Sequence, residues 1–503
     1  METLANANMA FSKVSLSLVL LFFVSLSFSY ANSRFTHDRT NSSQSQAQTL
    51  IRSLNLFPKK PVNIVKGDHA DFVPGKIVEN KFSFFAQSGS SVEDLGHHAG
   101  YFSLPHSIAA RMFYFFFESR NNKDDPVIIW LAGGPGCSSE LALFYENGPF
   151  HIANNLSLVW NVFGWDQASN IIFVDQPTGT GFSYSSYDRD IRHDEVSVSS
   201  DLYDFLQEFF KTHPEFIKND FYITGESYAG HYIPALAYRI NQANKQNLGI
   251  HINLKGFAIG DGLTNPAIQY TAYTDFALDN GIINKAGYDY ISKFIPSCEQ
   301  AIETCEFQGG QSCDIAYNIC DNILGSILKA AGNNLNVYDI RKKCVGSLCY
   351  DFSNLERLLN LQNVKSALGV ANDLEYVPCS ITVHNAMRED WMRNLEGGIP
   401  SLLEDGIKML VYVGDKDLIC NWLGNSRWVH AMEWSGQNAF GTSLTLKYVV
   451  DGAEAGFLKS YGPLTFLRIF DAGHLVPMDQ PNIALEMLKG WMGGTLMETK
   501  GDN

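Results

Sequence analysis

Short hydrophobic runs alternate with helical patterns along most of the chain after about residue 110. Eight runs rich in β-branched and aromatic residues are bounded by Gly, Asp or Pro, which is typical of short buried strands. They span residues 112–118, 127–131, 171–174, 221–224, 256–259, 409–413, 446–450 and 466–470. One apolar helix face is marked at helical spacing by Leu202, Phe205, Leu206, Phe209 and Phe210. This alternation predicts an α/β fold, with a sheet covered by helices.

The alternation stops between about residues 270 and 370, where six of the nine cysteines fall among helical patterns without clear strands. We therefore predict an inserted, disulfide-rich and mainly helical cap at 271–370. The core of the fold is predicted to consist of residues 91–270 and 371–503. Ligands of open α/β sheets bind at the carboxyl ends of the strands, so an insertion there can cover the binding site.

The first ninety residues differ from the rest. An apolar run at 14–28 follows Lys13 and precedes a small-x-small sequence at 29–31, which predicts a signal peptide at 1–31. The run is short and rich in serine, so a membrane anchor is the weaker interpretation. Residues 32–90 carry eight basic and four acidic residues, a net +4, which leaves −20 for the rest because the whole chain carries −16 and residues 1–31 are neutral. We predict a removable pro-segment held partly by charge; a disordered arm without a partner is the alternative.

The acidic balance of the chain argues against nucleic acid or an anionic membrane as a partner. Nine cysteines in an exported chain imply disulfides and one leftover thiol. No CxxC pair or matching histidine spacing is present, so we predict neither a zinc site nor another cofactor. The sequons at Asn41 and Asn155 predict glycosylation.

Residues 223–232 read ITGESYAGHY, with a serine two residues after a glycine where a strand is predicted to end. A serine hydroxyl is a weak nucleophile that needs a neighbouring base and must protrude from the sheet. A sharp strand–turn–helix places it there and requires small neighbours. Gly225 meets that requirement, and Ala229 replaces the more common second glycine. The pattern makes Ser227 a candidate nucleophile.

Three further segments follow predicted strands. The sequence GGPG at 133–136 comes where backbone N–H groups would form an oxyanion hole. Asp415 and Asp417 follow the strand at 409–413, and His474 follows the strand at 466–470. The chain order Ser, Asp, His is that of the α/β-hydrolase fold, which we predict here with a mixed central sheet.

Five segments together resemble the serine carboxypeptidases (peptidase S10 type), and among them the plant type III and carboxypeptidase Y branch. They are WLAGGPGCSS (130–139), DQPTGTGFSYS (175–185), GESYAG (225–230), GDKDLICNWLGN (414–425) and DAGHLVP (471–477). The resemblance extends from about Gly100 to the C-terminus. It implies Ser227 as nucleophile, His474 as general base and then acid, and Asp417 as the group that orients His474. It also implies that the N–H groups of Gly134 and Tyr228 form the oxyanion hole.

The resemblance implies how the C-terminal carboxylate of a substrate is bound. Glu226 and Glu146 would form a pair of carboxyls that keeps a proton at mildly acidic pH and donates it in a hydrogen bond. The N–H of Gly133 would assist. Cys420 would line the substrate pocket; a buried inert thiol is the alternative. One position departs from the family, because Ala132 stands where an Asn usually contributes one more hydrogen bond.

The resemblance also implies four disulfides, Cys137–Cys379, Cys298–Cys320, Cys305–Cys313 and Cys344–Cys349. The expected function is acid-optimal release of C-terminal residues from peptides and proteins through an acyl-enzyme. An acyltransferase on the same scaffold and a non-catalytic binding protein are the alternatives. The secretory pathway is the expected location, with vacuole and extracellular space both open, no membrane association after signal cleavage, and monomer or homodimer both open.

Overall fold

The computed structural model describes residues 72–82, 97–332, 334–346 and 348–497, and within them thirteen strands and sixteen α-helices. The strands are β1 Ile77–Lys81, β2 His98–Ser103, β3 Arg111–Phe117, β4 Val127–Leu131, β5 Phe150–Ile152, β6 Leu158–Trp160, β7 Asn170–Val174, β8 Phe221–Glu226, β9 Leu254–Gly260, β10 Lys408–Gly414, β11 Thr445–Val450, β12 Ala453–Tyr461 and β13 Leu464–Ile469. The predicted signal peptide, most of the predicted pro-segment and Asn41 lie outside the described residues.

The helices lie between and after the strands. They are α1 Glu140–Tyr145, α2 Glu195–Thr212, α3 Ala229–Lys245, α4 Pro266–Gln269, α5 Tyr273–Asp279, α6 Lys285–Ile291, α7 Ile295–Gln308, α8 Gln311–Ala331, α9 Ser353–Leu359, α10 Gln362–Leu368, α11 Ile381–Ala386, α12 Ile399–Glu404, α13 Trp422–Ala431, α14 Gln437–Thr442, α15 Val476–Asp479 and α16 Pro481–Gly493. Over the described ranges, no helix combines the length and apolar character needed to cross a bilayer.

Eleven of these strands form one mixed sheet, in the order β1-β2-β3-β7-β4-β8-β9-β10-β13-β12-β11. The six strands from β7 to β13 run parallel, and the outer strands on both sides pair antiparallel. The parallel strands are buried on both faces, as a sheet covered by helices requires. The predicted α/β-hydrolase fold with a mixed sheet is confirmed.

Helices α2 and α3 pack against each other, and each contributes an apolar face. The five residues predicted for the buried face of the α2 helix are all buried. Asp194 caps its first turn by accepting a hydrogen bond from the N–H of Ser197 at 2.8 Å, which satisfies a backbone donor that has no partner in the helix.

Between β9 and β10 the described residues form helices and no named strand. Disulfides Cys298–Cys320 and Cys305–Cys313 tie α7 to α8, and the Cys344–Cys349 bond closes a short loop. The fourth bond joins Cys137 to Cys379 across 242 positions of sequence. The structure thus forms all four bonds implied by the resemblance and leaves Cys420 free and buried. The boundaries of the cap stay a prediction.

At one edge of the sheet, β1 pairs antiparallel with β2. The Glu79 side chain on β1 accepts hydrogen bonds from His98 Nδ1 at 2.8 Å and His213 Nε2 at 3.1 Å, and a further one from the Tyr114 hydroxyl. Both histidines are buried. Part of the predicted pro-segment is therefore an anchored edge strand, and the segment's end at 90 stays a prediction.

Candidate active site

Ser227 occupies the turn between β8 and α3 with a φ of +64°. Its N–H donates to Gly260 O at 3.0 Å, and its C=O accepts from the N–H groups of Gly230 and Leu263, both at 3.0 Å. A positive φ is strained for a residue other than glycine, and these three bonds to the neighbouring backbone hold the turn in place. The local structure is the strand–turn–helix predicted from the sequence.

The GGPG segment after β4 lies directly against this turn. A Cβ added to Gly133 would lie 2.4 Å from the backbone nitrogen of Tyr228 and 2.6 Å from Ser227 Cβ. Only glycine allows this approach, because any side chain would collide with the turn. Gly134 follows with a φ of +107°. The two backbone donors predicted for an oxyanion hole, on Gly134 and Tyr228, therefore come from segments that are in contact.

His474 and Asp417 meet at the carboxyl ends of β13 and β10. Nδ1 of His474 lies 2.8 Å from Oδ2 of Asp417, and both residues are buried. Backbone N–H groups of Ile419 and Cys420 donate to the two oxygens of Asp417 at 3.0 and 3.1 Å. Burial raises the pKa of the Asp417 carboxyl, and the His474 ring and these N–H groups oppose that rise. The arrangement leaves Nε2 of His474 as the ring nitrogen that can exchange a proton.

The two acids of GDKD have separate roles in the structure. Asp415 forms ion pairs with Lys416 at 3.0 Å and with Arg468 at 3.6 Å. Asp417, rather than Asp415, contacts His474, in agreement with the assignment that the resemblance implies.

Glu226 and Glu146 are both buried, and their carboxyls interact with each other. Burial raises the pKa of Glu146 to about 8, although the interaction with Glu226 opposes that rise. Burial and then the charge of Glu146 raise the pKa of Glu226 well above its ordinary value. Two carboxyls in a buried site cannot easily both be ionised, so the pair keeps a proton directly beside the nucleophile.

Cys420 and Ala132 are the remaining predicted positions. The Cys420 side chain is buried next to Asp417, and burial raises the pKa of its thiol well above the ordinary value. The thiol is therefore protonated and a poor nucleophile. Ala132 is buried at the end of β4 and has no side-chain donor to offer a substrate. Asn155, the second predicted glycosylation site, is exposed.

Sequence reasoning missed two residues that contact the side chain of Tyr228, namely Asp390 and His231. The Tyr228 hydroxyl donates to Asp390 Oδ2 at 3.0 Å, and His231 Nδ1 lies 3.0 Å from the same oxygen. The rings of Tyr228 and His231 stack with centroids 4.6 Å apart. Asp390 lies 162 positions from Tyr228, so no local pattern could have linked the two. These contacts fix the residue whose N–H is a predicted oxyanion donor.

Sequence reasoning also missed two groups that contact the His474–Asp417 pair. The N–H of His474 donates to the backbone oxygen of Tyr338 at 2.7 Å, and the rings of these two residues lie 5.1 Å apart. The carboxyl of Asp261 interacts with that of Asp417. Both residues come from the chain between β9 and β10, far from the motifs that predict the triad.

Three clusters of described residues bring metal-ligating atoms within 4.8 Å of one another. In each of them a carboxylate is bonded directly to an imidazole nitrogen, at 2.8 to 3.1 Å. In each cluster the imidazole thus already pairs with a carboxylate, whereas the two carboxyl oxygens of Glu195 are buried without a hydrogen-bond partner among the described residues. Their members are Glu79, His98 and His213; Glu195, His231 and Asp390; and Asp417, Cys420 and His474.

Comparison with known proteins gives consistent results. A sequence profile described as "Serine carboxypeptidase" matches residues 89–494. The chain is 64% identical over 453 residues to serine carboxypeptidase 3 of Oryza sativa subsp. japonica, covering 90% of each chain. It is 58% identical over 497 residues to serine carboxypeptidase-like 49 of Arabidopsis thaliana, covering 96% of this chain and 95% of that one. A crystal structure of Kex1Δp, a prohormone-processing carboxypeptidase from Saccharomyces cerevisiae, matches with a TM-score of 0.72 and 25% identity, covering 83% of this chain and 91% of that chain.

Proposed function

Because this chain belongs to the serine carboxypeptidase family, we propose that it releases C-terminal residues from peptides and proteins through an acyl-enzyme, favoured at acidic pH. The observation that carries the proposal is the buried pair Glu226–Glu146 immediately beside Ser227. A general esterase needs a nucleophile and a base, but it does not need a proton-sharing pair of acids at that place.

In the proposed reaction Ser227 Oγ attacks the scissile carbonyl while Nε2 of His474 takes its proton. Asp417 holds the imidazole through Nδ1 and stabilises the imidazolium that forms. The N–H groups of Gly134 and Tyr228 donate to the oxyanion of the tetrahedral intermediate. His474 then protonates the leaving amine. In the second half of the reaction His474 takes a proton from water as the water attacks the acyl carbonyl, and it gives that proton to Ser227 Oγ as the bond between Oγ and the acyl carbon breaks and the acid is released.

Recognition of the substrate's free C-terminus falls to the acid pair. A protonated carboxyl is a hydrogen-bond donor, so the proton shared by Glu226 and Glu146 can be donated to the substrate carboxylate. The N–H of Gly133, which lies against the turn of Ser227, adds a second donor. Loss of the shared proton would leave two negative charges facing a third, so this binding is expected to weaken as the pH rises.

The location and the processing are part of the proposal. Four disulfides are compatible with the secretory pathway, where such bonds persist. In an acidic compartment such as a vacuole the acid pair would hold its proton. We further propose that residues 32–90 act as a pro-segment, and that Asn155 carries a glycan.

The test is the rate at which the processed protein releases the C-terminal residue from a blocked dipeptide, measured from about pH 4 to pH 8. We expect the rate to be highest at acidic pH and to be abolished in Ser227→Ala. The matched control is Ser169→Ala, because Ser169 is also buried but its hydroxyl, within the described part of the chain, donates only to Trp165 O, at 2.9 Å. This variant should behave as wild type.

Labelling with a fluorophosphonate separates the alternatives. If Ser227 is labelled but no residue is released, a glucose ester and an acceptor alcohol should be tried, since an acyltransferase uses the same triad. If Ser227 is not labelled at all, the triad is not functional and the proposal fails. A KM that stays constant when the same assay is extended well above pH 8 would contradict the role of the acid pair.

A further inference from the structure

Asp261 lies where the ends of β9 and β10 meet. It is the first residue after β9, is fully buried, and has a φ of +40°, a conformation that few side chains other than those of Asn and Asp tolerate. Its N–H donates to Tyr412 O at 2.9 Å, and its Oδ1 accepts from the N–H of Gly414 at 2.9 Å. Asp261 therefore joins β9 to the strand end from which Asp417 projects.

The carboxyl of Asp261 has a second neighbour, the carboxyl of Asp417. Oδ2 of Asp261 is buried without a protein hydrogen-bond donor among the described residues, and the carboxyl of Asp261 interacts with that of Asp417. Two ionised carboxylates in contact in a buried site would repel each other strongly. One of the two must therefore hold a proton.

The hydrogen-bond donors decide which of the two carboxyls is ionised. The Asp417 carboxylate accepts a hydrogen bond from the His474 ring. It accepts two more from the backbone N–H groups of Ile419 and Cys420, and all three bonds favour its ionised form. Asp261 receives one backbone donor, from Gly414. We propose that Asp261 is a positioning residue of the triad, held as the neutral acid so that its Oδ2–H donates a hydrogen bond to the Asp417 carboxylate.

The surroundings of Asp261 support this protonation state. Burial and then the charge of Asp417 raise the pKa of Asp261 well above its ordinary value, and the charge of Glu226 raises it further, while the Gly414 N–H opposes the rise. Tyr412 and Cys420 are the other titratable groups that interact with it. Burial raises the pKa of both of these groups as well, so each is neutral.

In the proposed function, Asp261 affects the proton transfer from Ser227 to His474 and not the binding of the substrate. A neutral donor fixes the Asp417 carboxylate towards His474 without adding a charge, so the contribution of Asp261 appears in kcat and not in KM. Glu226 and Glu146, by contrast, contact the substrate and act on KM. Only the prediction for kcat and KM rests on the proposed function. Fluorophosphonate labelling of Ser227 reports on the triad whatever the natural substrate is.

The test compares Asp261→Asn and Asp261→Ala across the pH range. Asn supplies an amide donor in place of Oδ2–H, retains an acceptor for Gly414 and tolerates positive φ. We expect Asp261→Ala to lower kcat and the labelling rate of Ser227 by about tenfold to a hundredfold with KM within about twofold. Asn should recover most of that loss relative to Ala.

The acidic side of the plot of Ser227 labelling rate against pH (its acid limb) decides whether Asp261 is protonated. If Asp261 is neutral, the Asn variant leaves the charge of the site unchanged and the midpoint of that limb stays in place. If Asp261 is ionised, replacing it by Asn removes a negative charge that stabilises the imidazolium, and the midpoint moves to lower pH. That shift would overturn the proposal, as would equal kcat values for the Asn and Ala variants.

One control variant and two alternative readouts keep the outcome clear. Asp166→Asn removes another buried carboxyl, one that pairs with Arg120, and it should leave the pH profile unchanged even if stability falls. If Asp261→Ala does not fold, the midpoint measured for the Asn variant alone still decides the question. If no peptide is released but Ser227 is labelled, the proposed substrate is wrong and the labelling profiles still test Asp261.

Discussion

We expect Glu146 and Glu226 to make substrate binding depend on pH. Burial raises the pKa of Glu146 to about 8, and burial raises that of Glu226 well above its ordinary value, so both carboxyls stay protonated through the acidic range and Glu226 keeps its proton after Glu146 has lost its own. We expect KM to rise at pH values above about 8, as the pair loses the proton that it donates. In Glu226→Gln the rise in KM should be smaller and its midpoint should move, because an amide donor cannot be titrated.

The measurement is KM for a blocked dipeptide against pH in the wild type and the Gln variant. Glu486→Gln is the matched control, since Glu486 pairs with Lys489 on the surface and should leave the profile unchanged. Coincident KM profiles for the wild type and Glu226→Gln would show that the pair does not bind the substrate carboxylate.

Ala132 is the position where the resemblance implies an Asn. Replacing it by Asn should add one hydrogen bond to the substrate carboxylate, worth about 1.5–3 kcal/mol because the acceptor is charged. We therefore expect Ala132→Asn to lower KM by about tenfold or more. The same variant should bind a peptide amide no better than the wild type does, because that substrate has no terminal carboxylate. Equal gains for both substrates would contradict the assignment.

At the scale of elements, β1 is held by its backbone pairing with β2 and by one side chain, that of Glu79. Burial of Glu79 opposes its ionisation, but the hydrogen bonds from His213, His98 and Tyr114 hold the pKa of its carboxyl well below the ordinary value. A carboxyl whose pKa is lowered by folding stabilises the fold above its unfolded pKa, and loses that effect only as the pH falls through the folded pKa. The anchor therefore persists in an acidic compartment, and processing that removed all residues up to 90 would expose the edge of β2.

Glu79→Ala should loosen this strand, since it leaves two buried histidines without their acceptor, at a cost of about 1–3 kcal/mol. We expect faster amide hydrogen exchange in residues 77–81 and a lower urea midpoint. Lys81→Ala, at an exposed position of the same strand, is the control and should change neither. Unchanged exchange in the Glu79 variant would show that backbone pairing alone holds β1.

Seven of the eight predicted strands are apolar runs that are buried along most of their length, and the eighth, β11, is predicted although several of its positions are exposed. All eight are present, with ends that differ by at most two residues. Among the missed strands, β1 and β12 carry Glu, Lys and exposed positions. β1 is an edge strand and β12 lies next to the edge strand β11, where side chains that face water interrupt the apolar run. β2 was missed because its sequence HAGYFS contains Gly, Ser and His, which have little strand preference.

At the scale of the whole molecule, the sequence could predict the three triad candidates because each follows a recognisable strand end. Ser227, Asp417 and His474 come within five residues of the ends of β8, β10 and β13. Asp261 also follows a predicted strand, but no sequence pattern links Asp261 or Asp390 to its partner, since those partners lie 153 and 162 positions away along the chain. What they contact depends on how the chain between β9 and β10 packs on the sheet, and that packing has no local sequence signal.

The bond between Cys137 and Cys379 closes a covalent ring that contains Ser227 but neither Asp417 nor His474. A single proteolytic cut between Ser227 and Cys379 would therefore put the nucleophile on one polypeptide and the acid and base on another. The two would remain one molecule, with the mass of the intact chain plus one water, and would separate only after reduction. The fold thus permits a two-chain enzyme whose triad is shared between its chains.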